Sequence, residues 1–128
     1  FYHFFHKEKH MDNELKQDFT RRLSQCNQGG MIVIIYDIFF AYIDDAKKAW
    51  ENSEREEFKT AIRNVQRTLD ELMQALDMSY EIARTLYPLY VYCKELFAKT
   101  LYENRLERFE EAESIMKKLY SSFVKVAE

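Results

Sequence analysis

From Met31 to the last residue, apolar side chains recur every three or four positions and never in strict alternation. That spacing keeps one face of a helix apolar, and no stretch has the twofold period of a half-buried strand. The clearest case is Phe58, Ile62, Val65, Leu69, Leu72 and Leu76, an unbroken heptad seam with charged residues behind it. With two glycines and one proline in 128 residues, little sequence is left for long loops. A chain of this length fits one domain.

Four periodic blocks succeed one another. The first, about 30–51, carries Met31, Ile35, Ile38, Tyr42, Ala46 and Ala49 as its inner stripe. The second is the heptad seam, opened by Ser53-Glu54-Arg55-Glu56, which reads as a capping box. A third starts near Ser79, a candidate N-cap, with Ile82, Leu86, Leu89, Cys93 and Leu96 as core. Asn104 then reads as the N-cap of a fourth, with Phe109, Ala112, Met116, Leu119, Phe123 and Val126 inside. Connections of a few residues force neighbouring helices antiparallel. The expected fold is all-α: an antiparallel up-down-up-down four-helix bundle over 30–128, with an N-terminal segment, 1–29, packed against it. Gly29-Gly30 reads as the hinge between them, and Asn13–Ser24 as a candidate short helix. Pro88 removes a backbone donor inside the third block and predicts a kink near Arg84.

The first and third blocks are more apolar than one buried stripe requires. With Ile35 at the centre of the inner face, Val33, Tyr36 and Phe40 turn away from it. With the Ile82/Leu86/Leu89/Cys93 stripe inside, Tyr80, Tyr87 and Val91 point outward. Such a surface calls for a cover, a second copy or a partner helix. Residues 1–27 hold Phe1, Tyr2, Phe4, Phe5, Leu15, Phe19 and Leu23, too apolar for a solvated tail, and are expected to fold back over the first and third long helices. No Met opens the chain, so Phe1 to His10 reads either as vector-derived residues or as native sequence whose start is missing.

Chemistry finds little footing. Between Gly29 and Glu128 there is no histidine, hence no Ser-His or Cys-His pair and no Glu-x-x-His ligand pair. No glycine-rich phosphate loop occurs. Glu56/Glu57 and Glu110/Glu111 sit on charged helix backs. His3, His6 and His10 fall on one helical face in the manner of zinc ligands, yet they lie at an unanchored terminus among aromatics, so no metal or cofactor is expected. Cys26 and Cys93, 67 positions apart, read as small hydrophobes in a reducing compartment. The apolar run from Met31 to Ile43 is too short to span a membrane. A net charge of −3 with no basic segment argues against nucleic acid.

The segments that carry these patterns resemble the flagellar secretion chaperone family (FliS). Met31-Ile32-Val33-Ile34-Ile35-Tyr36-Asp37, followed by aromatics and Ala46, is similar to the start of that family's first long helix. Glu81-Ile82-Ala83, Leu86, Leu89-Tyr90 and Tyr92, continuing to Tyr102-Glu103-Asn104, resemble its third. Leu69-Asp70-Glu71-Leu72 and Leu76 fall where the family has an Ile-x-x-Leu segment. Two departures are Gln25-Cys26-Asn27-Gln28 where the family has Thr-Ala-Ser-Pro, and Pro88.

The resemblance implies a non-enzymatic, cytoplasmic chaperone without a cofactor. It would bind the disordered C-terminal segment of flagellin, prevent early polymerisation and deliver the client to the export apparatus. The expected partner-binding residues are Val33, Tyr36, Phe40, Tyr80, Tyr87 and Val91, of which only Tyr36 lies in a family motif. A client-free homodimer is a further expectation. The alternative reading is a four-helix module that self-associates through the same surface.

Overall fold

A computed structural model describes residues 13–25 and 28–127. A short helix, α1 (Asn13–Gln25), precedes four long ones: α2 (Gln28–Glu51), α3 (Arg55–Ala75), α4 (Glu81–Glu103) and α5 (Glu107–Ala127). Helix α2 packs on α3, α3 on α4, α4 on α5, and α5 closes the ring against α2. Helix α1 lies on α2. The expected bundle with an N-terminal element against it is what forms.

Gly29 and Gly30 lie in the first turn of α2 with no positive φ, so they are helix rather than hinge. The turns between the long helices also differ from the expected caps. Ser53 adopts φ 57° and closes α2 instead of opening α3. The Glu54 N–H donates to the Ala49 carbonyl at 2.8 Å and the Ser53 N–H to the Trp50 carbonyl at 3.1 Å. This is a Schellman closure with serine in the left-handed place that glycine usually takes. Glu54 becomes the N-cap residue of α3 and makes no side-chain cap. Asn104 ends α4 in the simpler left-handed way: at φ 55° it donates its N–H to the Thr100 carbonyl at 2.9 Å. Asparagine tolerates that conformation better than most residues.

Ser79 does not cap α4 either. Its N–H and hydroxyl both donate to Asp77 Oδ1, at 3.0 and 2.6 Å, and Tyr80 is the N-cap. Those hydrogen bonds hold the Asp77 carboxyl below its ordinary value. Their contribution is present above the ordinary carboxylate range and is lost as pH falls through the depressed value. Helix α4 continues across Pro88 from Glu81 to Glu103.

The core grows out of the stripes. Phe58, Ile62, Val65, Leu69 and Leu72 of α3 are buried, as are Phe109, Ala112 and Met116 of α5. Phe123 and Val126 lie outside the described side chains. Ile35, Ile38, Tyr42, Ala46 and Ala49 of α2 are buried, but so are Ile34, Tyr36, Phe39 and Ile43. Helix α2 buries more than one stripe because α1, α3 and α5 all pack on it.

Much of the aromatic content goes inward. A chain of ring contacts runs from Trp50 to Phe58, Phe109, Phe97 and Phe39, with centroids 5.0 to 6.4 Å apart. Each such pair adds about 0.5–1.5 kcal/mol beyond its buried area. It stitches α2, α3, α4 and α5 together.

Helix α4 is rotated from the expected setting. Its buried face is Ala83, Tyr90, Cys93, Leu96, Phe97 and Thr100. Ile82, placed in the core by the sequence pattern, is 65% exposed, and Leu89 is also exposed. Turning Tyr90 and Phe97 inward buries two large rings, and Tyr90 finds a hydroxyl partner in Tyr36.

Candidate functional site

The anchors expected from sequence separate into three groups. Tyr36 is fully buried, its hydroxyl 2.5 Å from that of Tyr90, so its assignment to the outer surface is corrected. Tyr90 of α4 and Tyr120 of α5, whose rings lie 6.4 and 5.5 Å from its own, enclose it. Phe40 and Val33 are partly buried; the Phe40 ring rests on Phe39 and on Tyr120 of α5, with centroids 5.1 and 5.6 Å away. Phe40 therefore belongs as much to the packing as to the surface. Tyr80 (63% exposed) and Tyr87 (42% exposed) lie on the surface of α4, with Val91 half-buried beside them.

Helical spacing places Tyr80, Tyr87 and Val91 on one flank of α4. Tyr87 and Val91 line a shallow groove of about 430 Å³ against α3, with Met73, Gln66 and Ala98. An ion pair crosses it, Lys94 Nζ donating to Asp70 Oδ1 at 2.7 Å. The groove thus has apolar walls and a polar bridge, a form that holds an amphipathic helix by a few side-chain anchors.

The other flank of α4, toward α5, is not among the anchors expected from sequence. Ile82, Leu89 and Tyr92 are exposed there, and the Tyr92 hydroxyl donates to Glu111 Oε2 at 2.7 Å. That bond is the main cause of the raised Tyr92 pKa. The signal is present in the sequence, because Ile82 and Leu89 belong to a stripe overlapping the true one. Helix α4 consequently shows apolar residues on both sides of its ridge.

Of the N-terminal segment expected to lie over the first and third long helices, the described part is α1, which lies on the first. Helix α1 packs on α2, with Arg22 Nη2 donating to Asp37 Oδ2 at 2.7 Å. Leu15, expected to be part of the cover, is exposed. Phe19 and Leu23 lie outside the described side chains, and Phe1 to Phe5 outside the described residues.

No side chain among the described residues is poised for chemistry. Burial pushes the Cys93 thiol up to about 12, so it stays protonated and a poor nucleophile. Burial also raises the Tyr36 and Tyr90 hydroxyls. Among the described residues no group of three or more His, Cys, Asp or Glu could hold a metal ion. His3, His6, His10 and Cys26 lie outside them. No helix among the described residues is long and apolar enough to cross a membrane.

Comparison with curated proteins gives no significant match. The family model described as "Flagellar protein FliS" matches residues 11–128. That span holds α1, the whole bundle and both flanks of α4. The chain belongs to the FliS family of flagellar proteins, which are non-catalytic chaperones.

Proposed function

We propose that this chaperone binds the disordered C-terminal segment of flagellin, with the flanks of α4 as its principal seat. Family membership supports a flagellin-chaperone role in general. The observation that carries the finer reading is the exposure of Tyr80, Ile82, Tyr87, Leu89 and Tyr92 on one helix. Tyrosines anchor interfaces well, since they bury a large ring at little conformational cost while the hydroxyl stays wet. The client folds into short helices on these flanks. Val33 and Phe40 on α2 would extend the contact. A segment held this way cannot pair with other flagellin copies, and the complex is then handed to the export apparatus from the cytoplasm.

Calorimetry with the C-terminal segment of the host flagellin tests this. One-to-one binding at micromolar concentration or tighter is expected, with a gain of helicity, because ordering the client consumes part of the gross interaction energy. Absence of heat and of helicity, together with concentration-dependent self-association of the free protein, would favour the self-associating module instead. A client-free homodimer, if present, should dissociate as the segment is added.

A further inference from the structure

Asp37 is the one charge inside the apolar run of α2, and it is held from two sides. Arg22 of α1 donates to Oδ2 at 2.7 Å and the Tyr120 hydroxyl of α5 to Oδ1 at 3.0 Å. The Tyr120 ring lies 5.5 Å from that of Tyr36, and the Tyr36 hydroxyl is 2.5 Å from that of Tyr90. A continuous chain of contacts therefore runs from α1, through the bundle interior, to the buried face of α4.

The sequence of α4 carries two overlapping apolar stripes. The one buried in the structure holds Ala83, Tyr90 and Phe97; the other holds Ile82 and Leu89, while Cys93 and Leu96 belong to both. At 100° per residue the two stripes differ by a rotation of roughly 40°. The Tyr36–Tyr90 pair favours the first, and with it the exposure of Ile82 and Leu89.

We propose that the Tyr120–Tyr36–Tyr90 contacts couple the seating of α1 to the rotational setting of α4. When α1 is seated, Asp37 holds Tyr120 against Tyr36, and Tyr36 in turn holds Tyr90 inward. Release of α1 loosens this chain and frees α4 to turn, altering both flanks at once. A bistable element biased from a distant contact is the physical requirement for coupling between sites. The consequence for the client rests on the function proposed above; the coupling does not.

Hydrogen exchange on the free, full-length protein tests it without any client. In Tyr90→Phe, α1 amides should exchange about fivefold faster, a value within the range that mutations along a coupled network produce, while α3 amides are unchanged. In Tyr120→Phe and Arg22→Ala, amides in the first half of α4 should speed up by a similar factor. The double variant Tyr90→Phe/Tyr120→Phe should exceed the larger single effect by little, as expected for groups acting in one chain. Wild-type exchange of α1 in Tyr90→Phe, or additive single effects, would overturn the proposal. So would an equal rise in α3, since that denotes general loosening. If the coupling appears and flagellin does not bind, the functional reading fails alone. If flagellin binds and the coupling is absent, this inference fails alone.

Discussion

Replacing Leu69 with alanine is expected to lower the unfolding free energy by about 3 kcal/mol, within the ~2–5 kcal/mol usual for such cavities. Leu69 is fully buried at the middle of the α3 seam. Helix α3 has one apolar face, so the neighbouring side chains have no second packing arrangement in which to close the gap. Denaturant unfolding should show the loss as a lower midpoint at unchanged slope. Flagellin binding by the remaining folded protein should keep its affinity, because Leu69 reaches no surface. A loss under about 1 kcal/mol would mean that the α3 seam does not bear on the core in this way.

Tyr87→Ala should do the reverse. Tyr87 is half in solvent and lines the α3–α4 groove with Met73 and Val91. Truncating it removes little packing from the free protein, so its stability should change by less than about 1 kcal/mol, as for most surface substitutions. A tyrosine anchor at the centre of an interface is commonly worth about 2 kcal/mol or more. Client affinity should therefore fall by a factor of about 30. Calorimetry on the variant, beside its unfolding curve, separates the two effects. Unchanged affinity would remove the α3–α4 flank from the site. Phe40→Ala is a poorer probe, since its ring packs on Phe39 and Tyr120 and its loss would affect folding and binding together.

Periodicity makes the helix blocks and the α3 core legible, because α3 carries a single stripe and one stripe has one solution. The inner stripe of α2 is legible too, but the fate of its outer residues is not. Tyr36 is interior where Tyr90 of α4 and Tyr120 of α5 close over it, and those contacts leave no mark in the spacing of α2. On α4 the pattern is ambiguous in itself. Two stripes share Cys93 and Leu96, and a hydroxyl pair between diagonal helices decides between them. Ser53 and Asn104 read in sequence as openings of the next helix. Each instead ends the preceding one in a left-handed conformation, a choice made by carbonyls of α2 and α4 that residue type does not reveal. Of the candidate site, helical geometry alone turns Tyr80, Tyr87 and Val91 outward, and the two tyrosines are exposed while Val91 is half-buried. Ile82 and Leu89, by contrast, read as core and emerge only with the rotation of α4.

The central claim is that α4 seats the flagellin segment. Its most direct test is a resonance titration of the isotope-labelled protein with that segment. Shifts should concentrate on α4 from Tyr80 to Tyr92 and on the facing residues Gln66 and Met73 of α3, and saturate at one equivalent. Saturable shifts confined to other helices with α4 unmoved, or no shifts at all, would contradict it.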